Sequence, residues 1–315
     1  MKKMIWITIG ILCFQSFISY FASASNSTLI VDNEGDGDFM SIKDALAHAL
    51  PGDTIEVYSG TYLEYKIVIE INNITLIGVP FEFGNGSDIG KPFINGGGID
   101  DLIEIKAENV TIDGFHMENK GSGANGIIGI YEEADHCIIS NNDLANTTMS
   151  IIWNDGSYTW IINNSIRYST IRQGIVLRDP SHDNFVSGNI ISNCDTGILL
   201  WDSPYNLITK NIINNCSEFG IDNTYIYNKF QYNTLKDNQV GYQTLTGVHN
   251  SIINNNFIDN QVHAQYQYNR FRSCFSNRWI GNFWDAGRIL PYPIVGQILF
   301  FPWIQFDWNP AKVPN

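Results

Sequence analysis

Positive charge is scarce in this chain: 18 Lys and Arg face 32 Asp and Glu, a formal net charge of −14 over 315 residues. A nucleic-acid binder replaces condensed counterions with a basic surface, and no basic cluster lies beyond Lys2-Lys3. Nucleic acid is therefore excluded as a partner, and anionic membranes are disfavoured on the same ground. A polyanionic saccharide would need a local basic site or a bound cation to approach. Neutral sugars remain open. Long apolar runs are equally rare. Ile289 to Ile304 is apolar but interrupted by Pro291, Pro293, Gln297 and Pro302, which lipid would leave with unpaired backbone groups. The run from Met4 to about Phe21 follows Met1-Lys2-Lys3 and precedes Ala22-Ser23-Ala24. That order is the pattern of a secretory signal over residues 1–24. The expected product, residues 25–315, has no transmembrane span and is secreted, extracellular or held at the cell surface or in the periplasm.

Helical periodicity is nearly absent, and what replaces it is a repeat. A β-branched pair followed by Asn recurs in Ile138-Ile139-Ser140-Asn141-Asn142, Ile161-Ile162-Asn163-Asn164, Ile208-Thr209-Lys210-Asn211 and Ile252-Ile253-Asn254-Asn255-Asn256. With Asn142, Asn164, Asn189, Asn211, Asn233 and Asn256 in one register, the spacings are 22, 25, 22, 22 and 23 residues. Short strands at such a period make a solenoid rather than a closed globule. Three strand segments per coil suit the pattern: the Asn phrase, a run such as Ile190-Ile191, and a Gly-led run such as Gly197-Ile198-Leu199-Leu200. Asn tolerates left-handed backbone angles, and its amide can bond the next coil's amide in a ladder. Cys194 and Cys216 each lie five residues after a register Asn. They should stack in adjacent coils about 4.8 Å apart, either as a disulfide or as buried thiols.

The two ends differ from the repeat. Ser41 with Asp44 reads as a helix N-cap, and Ile42, Ala45, Leu46 and Ala49 form one apolar stripe. Residues 41–50 are therefore expected to be a helix covering the open first coil. Pro80 to Asp101 is expected to leave the stack as a loop. The Pro- and aromatic-rich segment 289–312 is expected to fold over the last coil and bury Trp279, Trp284 and Trp303.

Gly52-Asp53-Thr54-Ile55 with Gly60-Thr61-Tyr62, Asn282-Phe283-Trp284-Asp285 and Pro291-Tyr292-Pro293-Ile294 resemble the opening coil and closing phrases of the NosD family. Its members are called periplasmic copper-binding proteins, and the repeat is shared with carbohydrate-binding proteins and sugar hydrolases. The closing Pro-rich phrase is similar to that of secreted archaeal members. The resemblance implies an all-β, right-handed, single-stranded parallel β-helix, and an accessory role in copper delivery. The residues themselves speak against copper, whose ligands are Cys, Met and His. Met is scarce after the signal, the four remaining Cys have no close metal spacing, and His116, His136, His182, His249 and His263 show no paired spacing.

Solenoids build sites by stacking side chains on one face. Counting back from the register places Asn154, Asp179 and Asp202 at about one corner with Asp222 close by. Arg178, His182 and Asp183 share the Asp179 loop, and Trp201, Tyr205, Tyr225 and Tyr227 lie in the next two coils. Two such carboxylates about 5–9 Å apart could hydrolyse a glycoside. Alternatively, carboxylates could hold Ca²⁺ while Arg178 neutralises a uronate, as a lyase or epimerase requires. Arg178-Asp179-Pro180-Ser181-His182-Asp183 resembles the Asp-Pro-His signature of uronan epimerases, with Ser181 interposed. Turns also favour Asp and Asn without any function. The expectation carried forward is a monomeric, non-enzymatic protein that binds a polysaccharide or a surface protein along one flank. Its alternative is a polysaccharide-active enzyme centred on Arg178, Asp179, His182, Asp183 and Asp202.

Overall fold

The computed structural model describes residues 26–315 except 122, 124, 170 and 269–275, so the segment expected to be a signal lies outside the described residues. Strands of mostly three to seven residues wind into a right-handed parallel β-helix of three sheets. The first sheet runs through 11 strands from Thr28–Val31 to Arg278–Ile280, and the second through 10 from Thr61–Tyr62 to Phe283–Trp284. The third has 11 strands, from Ile67–Ile69 to the closing hairpin Tyr292–Ile298 and Phe301–Asp307. All pairings between named strands are parallel except that hairpin. No helix among the described residues is long and apolar enough to cross a membrane.

The core is a set of columns. In the first sheet Ile139, Ile161, Val186, Ile208, Phe230, Ile252 and Trp279 stand in register, each nearly inaccessible. In the third, Ile152, Ile175, Ile198 and Ile221 do the same. Residue size grows toward the closing end, where Phe257 and Tyr292 sandwich Trp284 at centroid distances of 4.4 and 4.1 Å. Because every column residue packs against its coil neighbours, Ile198→Ala leaves a hole that cannot collapse. A loss of about 2–4 kcal/mol is expected in denaturant unfolding.

Asparagine does two jobs at each corner. Asn141, Asn163 and Asn254 adopt positive φ and turn the chain. The next residue bonds along the axis. Asn142, Asn164, Asn189, Asn211, Asn233, Asn255 and Asn282 each donate a backbone N–H to the side-chain oxygen of the following member at 2.9–3.0 Å, and the row ends on Asp307. The register therefore passes through Asn255, not Asn256. Asn256 opens a strand of the second sheet and fixes the chain end by bonds to the backbone of Asn315 at 2.8 and 3.1 Å. A second ladder joins Asn184, Asn206, Asn228, Asn250 and Asn277.

At the opening end, helix α1, Ile42–His48, buries Ile42, Ala45 and Leu46 over the first coil. Ser41 accepts from the Asp44 N–H, and Glu64 from the following coil takes the N–H groups of Ile42 and Lys43. Phe93–Asn95, inside the expected loop, is a strand of the second sheet. Trp303 departs from expectation. Its strand is the outermost of the third sheet, and the ring is 41% exposed, whereas Trp279 and Trp284 are buried.

Candidate functional site on the third sheet

Residues alternate between the two faces of a strand, so the third sheet carries an outward row beside its inward columns. The row runs Glu104, Gly129, Trp153, Val176, Leu199, Asp222, Gln243, Gln265. At Gly129 a Cβ would lie 2.3 Å from the Trp153 ring, so any side chain there would force the indole to move. Trp153 also meets Tyr131 edge-on at 4.8 Å and carries the Arg178 guanidinium 4.9 Å from its centroid. Arg178 donates to both oxygens of Asp155, at 2.8 and 2.6 Å. Lys106 is likewise held by Glu104 at 2.6 Å. These two cations are thus already paired, whereas Arg172, which also lines this face, has no carboxylate partner among the described residues. Trp201, in register with Arg178, leaves 57% of its surface exposed.

Two depressions open on this face. One, of about 340 Å³, is lined by Trp153, Arg178, Leu199 and Trp201 among others. The other, of about 670 Å³, is lined by Gln243, Gln265, His263 and Tyr292 among others. Asp222 stands between them, flanked in register by Leu199 and Gln243. Burial pushes its carboxyl up to about 6; a bond from Gln243 at 3.4 Å opposes the rise and the Glu218 charge adds to it. Gln243 in turn accepts from Gln265 at 2.6 Å.

Of the residues singled out in the sequence, Arg178, Trp201 and Asp222 meet on this face. Arg178 and Trp201 pair with each other two residues beyond Val176 and Leu199, one outward position from the row of Asp222, and the others lie outside both rows. Asn154 is fully buried in the adjacent inward column, in register with Leu177, and its amide is spent on Gly156. Asp179 and Asp202 are exposed where the strands end. His182 bonds Asp183 at 2.8 Å in the following turn. Tyr225 uses its backbone to hold Asn223 and Asn250. Tyr205, Tyr227 and His249 form a face-to-face stack at 5.3 and 5.0 Å with planes within 8°. Stacked in this way, Tyr227 turns both ring faces toward neighbouring rings rather than toward solvent. Gln243 and Gln265 were not legible as site residues, because isolated glutamines carry no motif.

Cys194 and Cys216 are free, buried thiols rather than a disulfide. Burial pushes Cys194 up to about 11, and Cys216 higher still. His116, in the second sheet, bonds Asp143 at 2.9 Å and lies 3.4 Å from Glu118, while Arg167 grips Asp143 from the other side. Hydrogen bonding to Asp143 raises His116, although burial opposes it. Burial would raise Asp143, but the bonds from His116 and Arg167 outweigh it and hold the carboxyl well below its usual range. The His116 contribution is present below its unfolded value of about 6.5 and is lost as pH rises through the folded value. The Asp143 contribution is present above about 3.9 and is lost as pH falls. Denaturation midpoints should therefore drop on the alkaline side of this window, and His116→Gln should flatten that limb in urea melts taken across pH.

Among the described residues, the groups of three close His, Cys, Asp or Glu side chains are Glu34, Glu82, Asp88 and Asp100, Asp101, Glu104, with ligand atoms within 4.8 Å of one another. These are hard oxygen donors of the kind Ca²⁺ takes. In the second set Lys66 and Lys106 already neutralise Asp100 and Glu104. In the first, Glu82 leads the neighbouring carboxylates in raising Glu34. Neither set suits copper, which prefers thiolate, thioether and imidazole donors.

The fold and this outward face place the molecule among the right-handed parallel β-helix proteins. The family model described as "Periplasmic copper-binding protein (NosD)" matches residues 48–287, and the chain belongs to that family. No curated protein matches it by sequence. Among solved structures, XylC in complex with xylose is similar at 13% identity with a TM-score of 0.64, covering 86% of this chain and 71% of that one. A mutant of the PL6 family alginate lyase AlyGC matches at 15% identity and a TM-score of 0.54, covering 82% of this chain and 43% of that one. That lyase is an enzyme built on this fold, so the architecture lends no support to the expectation of a non-enzymatic protein, and that expectation is withdrawn.

Proposed function

We propose that the chain is an exported glycoside hydrolase that cleaves a neutral polysaccharide laid along the outer face of the third sheet. The observation that carries this reading is Asp222, a half-buried carboxyl raised to about 6 between two depressions on one face. A general acid must still hold its proton near working pH, and desolvation supplies that here. Trp201 offers an exposed apolar surface for a sugar ring, and Gln243 and Gln265 offer amides for hydroxyls. Glu218, whose charge acts on Asp222, is our candidate for the second carboxylate that hydrolysis requires. Asp179, Asp202, His182 and Asp183 stand at the rim, where an extended chain would leave the face.

Arg178 is held by Asp155 and Lys106 by Glu104, which leaves Arg172 as the cation at the smaller depression that a uronate could meet, so the neutral and uronic arms of the test decide between hydrolysis and elimination. The saccharide partners named for the XylC and AlyGC structures support a carbohydrate substrate on this fold. Export through residues 1–24 belongs to the same reading. The test is a panel of neutral and uronic polysaccharides, scored for retention and for released oligosaccharides with and without Ca²⁺. Release from a neutral polymer, with retention lost in Trp201→Ala, is the expected result. Release of unsaturated uronates instead would replace hydrolysis by elimination.

A further inference from the structure

A cleft of about 650 Å³ lies between the last strand of the first sheet, Arg278–Ile280, and the outermost hairpin strand, Phe301–Asp307. Its volume is in the range of small-ligand sites. The walls are Ile280, Trp303, Ile304, Phe306 and Trp308, and Arg278 stands at the edge. Trp308 is 72% exposed and leans on Phe306 at 5.1 Å. No carboxylate among the described residues pairs with Arg278, unlike Arg178 and Arg167, whose guanidinium groups are taken.

The charge around this cleft runs against that of the whole chain. Between residues 276 and 315 the charged side chains are Arg278, Arg288, Lys312, Asp285 and Asp307. Asp307 is fully buried at the end of the asparagine ladder, and Asp285 pairs with His263 at 2.9 Å. Arg278 is the one charged side chain among the residues that line the cleft, in a protein whose formal charge is −14. Rings beside an unpaired guanidinium fit one ligand chemistry well: a sugar whose ring lies on the indole and whose carboxylate takes a forked bond from arginine.

The geometry points to a second saccharide site in this cleft, sharing no lining residue with the third-sheet depressions, that takes a uronic acid residue. The sugar rests against Trp308 and Trp303, and its carboxylate meets Arg278. Such a site would hold the protein on acidic glycan while the separate face works on a neutral chain.

The experiment titrates the full chain with trigalacturonate, and with a neutral trisaccharide of the same length, following tryptophan fluorescence and heat. Trigalacturonate is expected to bind and the neutral sugar to bind at least about tenfold more weakly, because the neutral sugar offers Arg278 no carboxylate for a charge-assisted pair. Arg278→Gln and Trp308→Ala should each abolish that preference, and Trp201→Ala should leave it intact. Both altered side chains are exposed, and matching thermal melts would confirm that the variants fold. Should Trp308→Ala not fold, Arg278→Gln decides alone. Equal binding of the two sugars, full binding by Arg278→Gln, or loss in Trp201→Ala would overturn the assignment. So would a fluorescence response to anionic vesicles or to self-association in the absence of any response to trigalacturonate.

Discussion

Asp222→Asn is expected to lower oligosaccharide release about 10²–10⁴-fold, the usual worth of a positioned proton donor, while retention on the same polymer stays close to wild type. An amide keeps the shape and the bond to Gln243 but has no proton to give to the departing glycosidic oxygen. The wild-type rate should fall as pH rises through about 6, where Asp222 loses its proton. The stability effect has the opposite sign. Burial disfavours the charged carboxylate of Asp222, so a neutral amide should raise the melting midpoint at neutral pH even as it removes activity. Such opposition is the mark of a group kept at a cost to folding. Rate loss accompanied by a lowered midpoint would instead mean that Asp222 supports the sheet, and the hydrolase reading would fall with it.

The ladder was visible in the sequence because its physics repeats: each corner needs one residue that accepts positive φ and one amide that bonds both ways, and asparagine serves for both. The slip at Asn256 arose because Asn254, Asn255 and Asn256 all satisfy that rule locally. Only the inward position three residues after Ile252 completes the row from Asn233 to Asn282. The same kind of slip placed Asn154 with Asp222. Turn lengths vary between coils, and a shift of one residue moves a side chain from the solvent face to the core. Asn154 actually aligns with Leu177, Leu200 and Asn223, and it is Trp153 that aligns with the row of Asp222. Nothing local in the sequence predicts a raised carboxyl at Asp222. Its burial comes from Leu199 and Gln243, each more than twenty residues away and adjacent only through the coil pitch.

The asparagine ladder itself bears the largest expected effect on folding, and Asn211→Leu tests it at mid-row. Asn211 is fully buried. Its side-chain oxygen accepts the Asn189 N–H and amide at 3.0 Å each, and its own amide donates to Asn233 and to the Val186 carbonyl at 3.0 Å each. Leucine is close in volume, so the substitution removes these bonds without opening a large cavity. What remains is a buried backbone N–H on Asn189 with no acceptor, an Asn189 amide left with the Ile161 carbonyl alone, and a carbonyl on Val186 with one donor fewer. Each stranded buried group costs about 1–3 kcal/mol, so a total of roughly 3–6 kcal/mol is expected, a large part of the stability of an ordinary domain. Because solenoid coils communicate mainly with their neighbours, amide exchange should accelerate first in the coils holding Asn189 and Asn233 and last at helix α1. A loss under about 1 kcal/mol would show that the row satisfies its own polar groups without contributing to cohesion, and the apolar columns would then carry the axis alone.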